Sequence, residues 1–273
     1  MNSCHQSGLK PSQQIAFPRG WRRWMLAWGW GMGIAGLSLL LPGTTWAQSA
    51  SRTTVESLLE RIDAIANEQA LDQLSEIYSP AFVNSDGLTF DDLEASLTEL
   101  WALYPDLTYE TQLKKFTQSG STLVVETVTT ITGQRDWLGQ TAQLNGEIKA
   151  RQTFEGDKLI QQEILAESLV MTAGEVPPEV TVRLPERVKP GDTFDFDVIL
   201  QTPIGEDLLA GNAFAQDISP ENYLQPTQVK LELLQAGGLF KRAIAGDDPQ
   251  WLSGLLISPD GMVLVTRRLV LEK

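Results

Sequence analysis

The side chains most often recruited for catalysis are almost missing from this chain. Its one Cys is Cys4 and its one His is His5. Downstream of them there is no Ser-His-Asp or Cys-His arrangement and no zinc site built on His or Cys. Acid–base chemistry is then left to carboxylates and phenols, which work at neutral pH only where an apolar pocket shifts their pKa. Asp192, Asp195 and Asp197 cluster as ligands of a hard cation such as calcium would. However, Asp195 and Asp197 alternate with Phe194, Phe196 and Val198, which turns the acids toward water on a strand. Gly237-Gly238 lacks the lysine and spacing of a phosphate loop. The sequence predicts neither a metal nor a cofactor.

The first fifty residues decide which chain carries any such chemistry. Arg19, Arg22 and Arg23 precede an uncharged run, Trp24 to Ala47, which ends in Pro42-Gly43 and the small-x-small triplet Thr45-Trp46-Ala47. Basic, apolar and small-residue regions in that order predict a signal peptide over 1–47, cut between Ala47 and Gln48. Arg22-Arg23-Trp24-Met25-Leu26 also resembles a twin-arginine signal. The alternative is a retained anchor over 24–41, at the short limit for a membrane span. Export to a bacterial periplasm, a lumen or the exterior is the expected localisation, with membrane contact only if the leader stays. Cleavage removes both Cys4 and His5, so the remaining 226 residues depend on their core without disulfides. It also takes four basic residues and no acid from the 21 Lys/Arg and 35 Asp/Glu, which changes the net charge from −14 to −18. Such a surface repels nucleic acid and anionic lipid.

The elements that would position the chemistry follow from periodicity. Thr53-x-x-Glu56 predicts a capped helix with Val55, Leu58, Leu59, Ile62, Ile65 and Ala66 on one face. A second helical stretch carries Leu71, Leu74, Ile77 and Tyr78 and stops at Ser79-Pro80. A short extended piece, 81–83, and the turn Asn84-Ser85-Asp86-Gly87 lead to a third helix opened by Asp91-x-x-Glu94, with Leu93, Leu97, Leu100, Trp101 and Tyr104 inward. The period then changes from 3.6 to 2. Strands are predicted over 107–116, 121–132, 141–154 and 159–171, the last two joined by the turn Glu155-Gly156-Asp157-Lys158.

This order, with the stretch YSPAFVNSDGLTFDDLEASLTELWALYPDLTYE, resembles the nuclear transport factor 2-like superfamily over about residues 53–172. That superfamily includes scytalone dehydratase-like, ketosteroid isomerase-like and SnoaL-like polyketide cyclase-like proteins. The resemblance implies a cone-shaped cavity between helices and sheet, and related isomerases work there with a Tyr and carboxylates. Candidates at such a cone are Tyr78, Trp101, Tyr104, Tyr109, Trp137 and Arg151 as ligand contacts, with Asp86, Asp136 and Glu167 as carboxylates. None aligns with a catalytic motif. Tyr78, Trp101 and Tyr104 read equally well as core, and Arg151, in antiphase to Ile148 and Phe154, as a surface residue.

Ala173-Gly174-Glu175-Val176-Pro177-Pro178 reads as a joint between domains at 53–173 and 179–273. Beyond it the patterns are all strand: 180–184, 193–201, 229–234, 239–245, 251–258 and 262–271, with 208–215 weaker. Ser258-Pro259-Asp260-Gly261 makes a hairpin turn. Short strands at this density suggest an immunoglobulin-like sandwich, without the Cys…Trp…Cys signature. The expected fold class is therefore α+β: three helices on a curved antiparallel sheet, then an all-β sandwich. The expected function is binding of a small apolar or amphipathic ligand in the cone, with protein contact through the C-terminal domain. Alternatives are a hydratase, isomerase or cyclase using Asp/Glu and Tyr, and a membrane-tethered assembly factor.

Overall fold

The computed structural model describes residues 14–15, 50–137, 139–202, 208–223, 228–234 and 237–272. The predicted leader, apart from Gln14–Ile15, lies outside the described residues. No described helix is long and apolar enough to cross a membrane.

Helix α1 (Arg52–Asn67) buries Val55, Leu59 and Ile65, the stripe read from the sequence. Its cap is Ser51, whose hydroxyl accepts from Thr54 N, and not Thr53. The second helical stretch is only a 3₁₀ turn, Leu71–Gln73, and a single turn α2 (Leu74–Ile77). Tyr78 already belongs to strand β2 (Tyr78–Asn84), which pairs parallel to β6 (Lys158–Gly174). Seven residues cannot sustain a helix by themselves, and the pairing with β6 takes the chain over. Helix α3 (Phe90–Leu103) starts two residues earlier than read, at a box in which Thr89 and Asp92 cap each other.

Four long antiparallel strands follow: β3 (Thr108–Ser119), β4 (Thr122–Trp137), β5 (Gln140–Glu155) and β6. After them come β7 (Val180–Arg183), β8 (Thr193–Leu200), β9 (Leu209–Asp217) and a one-turn helix α4 (Pro220–Tyr223). The last strands are β10 (Val229–Lys230), β11 (Glu232–Leu234), β12 (Gly238–Ile244), β13 (Gln250–Ser258) and β14 (Gly261–Leu269). Gln14–Ile15 forms a short strand, β1, paired with β10.

The expected fold class is overturned by how these strands pair. One nine-stranded sheet runs β11-β9-β13-β14-β6-β5-β4-β3, with β2 attached to β6. β14 pairs antiparallel with β6 from Arg267↔Ser168 to Gly261↔Gly174, so the sheet of the first half continues directly into the second. The described residues are predominantly β, with two helices of 16 and 14 residues and two single-turn helices among them. The fold is not three helices on a sheet followed by a separate sandwich. The physical reason is the length of β6: its first residues face β2 and its last seven leave an edge that β14 fills, satisfying backbone groups that would otherwise be open.

Both faces of this sheet are covered, at opposite ends. On one face, Leu113, Leu123, Val125, Phe154 and Leu159 pack with Val55, Leu59, Ile77 and Phe82. On the other, Val170, Leu252, Leu256, Val263 and Val265 pack with Phe194, Phe196 and Val198 of the three-stranded sheet β12-β8-β7. Gly254 permits that approach, since a Cβ there would lie 2.7 Å from Val198 Cγ2.

Candidate functional site

The helix-side face can be read as rows of side chains from the strand register. One row is Val125–Gln152–Gln162, the next Leu113–Thr127–Ala150–Ile164. Then come Thr111–Thr129–Ile148–Glu167 and Tyr109–Ile131–Gly146–Leu169. Gly146 leaves the middle of the last row without a side chain. A Cβ built there would meet only flanking strands, Ile131 Cβ at 3.6 Å first, and nothing from α3 as close. Around this gap Tyr109, Ile131, Ile148, Leu169 and, on α3, Leu97 and Leu100 are all only half-buried. Thr127 and Gln152, two and three rows away, are 2% and 6% exposed. Thr127 Oγ1 and Gln152 Oε1 have no hydrogen-bond partner.

Three of the predicted aromatic residues gather beside this gap, and a fourth, Trp137, lies three rows further along β4. Trp101 Nε1 donates to Tyr109 Oη at 2.9 Å. Tyr104, at the end of α3, donates to Met171 Sδ at 3.7 Å, and the Arg135 guanidinium lies 5.0 Å from the centre of its ring. Trp137 packs half-buried in the same cluster. Tyr78 stands apart, edge-on to Phe82 at 5.0 Å and stacked on Phe90 at 6.0 Å. Burial pushes its phenol up to about 12, with Tyr109 adding to the effect. Burial also raises Tyr104 and Tyr109, against smaller opposing effects of Arg135 and the Trp101 hydrogen bond. Such phenols stay protonated at neutral pH.

Arg151 lies on the opposite face. It is part of a cross-strand ladder, bonding Glu126 Oε1 through Nε (3.1 Å) and Nη2 (2.9 Å), and Glu163 through Nη1 (2.6 Å). Lys115 joins Glu126 at 3.0 Å. Asp136 is exposed in the β4–β5 hairpin and accepts from Gly139 N. Asp195 is held by Arg242 at 2.7 Å and 3.1 Å, and no group of three or more His, Cys, Asp or Glu fit for a metal exists among the described residues. An open depression of about 570 Å³ runs along β7 and β8, past Arg183, Asp195 and Asp197, well outside the helix-side face.

Asp86 and Glu167 do come together, with partners that sequence reading missed. β2 and β14 approach the same edge of β6 end to end, pairing within 159–162 and 168–174 respectively. Between them Arg268 Nη1 and Nη2 donate to the two oxygens of Asp86 at 2.9 and 2.7 Å. Arg268 Nη2 also reaches Glu167 Oε2 at 3.2 Å, which Trp251 Nε1 bonds at 2.9 Å. Tyr223 of α4 donates to Asp86 and sets its ring against Trp251 at 4.8 Å. The side chains of Arg268 and Asp86 are 4% and 1% exposed. Burial opposes the charge on Arg268, but the bonds and fields of Asp86 and Glu167 outweigh it and hold the guanidinium charged. Burial, then Asp86, forces the Tyr223 phenol far above its ordinary range. One sequence signal existed: Arg268 is in phase with Met262 and Leu264, so a buried-phase cation required a buried partner. Chemically, Asp86 Oδ1 accepts from Arg268 and Ser85 and Oδ2 from Arg268 and Tyr223, which engages all of its about four lone pairs and leaves none for proton abstraction.

Among known proteins, residues 175–272 match the sequence profile of a domain of unknown function (DUF8623). No curated protein matches the chain. Solved structures that match include Bd1075 of Bdellovibrio bacteriovorus, 15% identical with a TM-score of 0.32, over 41% of this chain and 39% of that one. AclR of Streptomyces galilaeus, described as a hydroxylase, is 17% identical with a TM-score of 0.31, over 44% and 80%. A protein of Jannaschia sp. CCS1 described as a SnoaL-like polyketide cyclase is 19% identical with a TM-score of 0.30, over 43% and 89%. This chain thus spans well under half of the Bdellovibrio protein. At these scores the matches carry no argument about activity.

Proposed function

We propose that this chain is an exported binding protein without catalytic chemistry of its own, which holds a small amphipathic molecule between α3 and the sheet. The observation that carries this reading is the gap at Gly146, ringed by half-buried apolar and aromatic side chains. Concave apolar surface with a few convergent polar groups is the usual form of a small-molecule site. An acid–base enzyme is less well supported, because the carboxylate and phenol that meet, Asp86 and Tyr223, bind each other and Arg268.

The test is titration with the neutral fluorophore N-phenyl-1-naphthylamine. The wild-type protein should show saturable enhancement at one site. Gly146→Leu places its Cβ in ordinary contact with Ile131 and Ser168 and its larger side chain in the gap, so it should weaken binding at least tenfold at unchanged circular dichroism. Equal binding by both proteins sinks the reading. Export is tested separately by N-terminal sequencing of the natively produced protein, which should begin at Gln48; a start within 1–47 rules out cleavage at Ala47.

A further inference from the structure

Resting on that reading, we propose that the bound molecule carries an uncharged hydroxyl head group, held jointly by Thr127 and Gln152. These two side chains are diagonal neighbours on the helix-side face, since Thr127 stands opposite Ala150 and Gln152 opposite Val125. Diagonal neighbours across antiparallel strands are within reach of one small group. Both are more than nine-tenths buried, and each carries an oxygen with no partner. Buried polar atoms are almost always paired, because an unpaired one keeps its full desolvation penalty. Two of them side by side mark a place where a partner group belongs.

The surroundings select the chemistry of that partner. The two rows that hold Thr127 and Gln152 contain Leu113, Val125, Ala150, Ile164 and Gln162, and no charge. The nearest charges along the strands, Lys115, Glu126, Arg151 and Glu163, lie on the opposite face and neutralise one another. Asp86, Glu167 and Arg268 are likewise bound to each other. In the adjacent row Asp63 of α1 accepts from Thr111 N and Oγ1 at 2.6 Å. A carboxylate head would therefore be desolvated here with no counter-cation, and an ammonium head with only an anion already bonded to Thr111. A hydroxyl donates one hydrogen bond and accepts others. It can donate to Gln152 Oε1 while accepting from Thr127, and its apolar tail then runs toward Ile148 and Gly146. The same group suits either orientation of the Gln152 amide.

The experiment is displacement of N-phenyl-1-naphthylamine from the purified full chain by 1-decanol, decanoate and decylammonium at pH 8. Decanol should displace it at a concentration at least tenfold lower than either ion. Thr127→Val and Gln152→Leu, which remove the polar atoms and keep the volume, should abolish that preference. Without ligand, Thr127→Val should also raise the urea midpoint, because an unpaired buried oxygen has been removed. The inference is overturned if decanoate competes as well as decanol. It is equally overturned if the variants keep the preference for decanol, which leaves the two side chains to a trapped water. Failure of the fluorophore to bind wild-type protein at all removes the binding reading and this inference with it. Selectivity failing while binding persists removes only the inference.

Discussion

Asp86→Ala tests the junction that joins the two halves of the sheet. The substitution deletes both acceptors of the Arg268 fork and the acceptor of Tyr223, inside a cluster where Arg268 and Asp86 are 4% and 1% exposed. Breaking a buried ion pair from one side costs about 3–5 kcal/mol, because the surviving charge stays buried without compensation. Glu167 remains 3.2 Å from Arg268 Nη2, so the lower end, about 3 kcal/mol, is expected here. That is a large share of the roughly 5–15 kcal/mol that holds a typical protein folded. With a urea slope of about 1–3 kcal/mol per molar, the midpoint should fall by at least about 1 M. Equilibrium urea unfolding followed by tryptophan fluorescence reads this directly, because Trp251 bonds Glu167 and touches Tyr223. Asp86→Ala combined with Arg268→Met should recover part of the loss, since the orphaned cation is gone. A fall of less than about 1 kcal/mol for Asp86→Ala, or a double variant weaker than the sum of the singles, would refute the reasoning, since either means that Arg268 is not confined to a dry site.

Two further outcomes follow from the structure. All four tyrosines have phenols raised by burial, Tyr78 to about 12. A pKa raised in the folded state favours the protonated form, so the contribution of Tyr78 to stability is complete below pH 10 and is lost as pH rises from 10 through about 12. Absorbance at 295 nm should therefore stay flat through pH 10 in the folded protein, and Tyr78→Phe should reduce the loss of urea stability between pH 10 and 12; early titration of any tyrosine contradicts this. Gly174 (φ 101°) faces Gly261 across the β6–β14 seam, where a Cβ would sit 2.4 Å from Asp260 O and from Gly261 Cα. Gly174→Ala should cost about 2 kcal/mol or more, whereas Gly120→Ala (φ 60°), with open space around it, carries only local strain of about 1 kcal/mol. Thermal denaturation of the pair separates the two costs, and equal shifts would show that the seam relaxes freely.

The sequence by itself determined the local order. Period-2 runs placed β3 to β6, β8, β13 and β14 to within a few residues, and the 3.6 stripe of Val55, Leu59 and Ile65 placed α1. These signals are legible because each strand or helix face must alternate with whichever core it meets. The chain also marked Trp101, Tyr104 and Tyr109 as neighbours of a possible site, and Arg151 as out of phase with the apolar positions of β5. Tertiary structure alone decided which edges pair. Nothing in Val263–Leu269 says that β14 will extend β6, because backbone hydrogen bonds carry no sequence label and apolar alternation fits any partner. The fold class changed for that reason, from two separate units to one sheet covered on opposite faces. It also decided the site. Asp86 read as a turn residue and Arg268 as the end of a strand, 182 positions away. Only the end-to-end meeting of β2 and β14 on β6 makes them a buried pair, and only the register sets Thr127 and Gln152 side by side, two and three rows from the gap at Gly146.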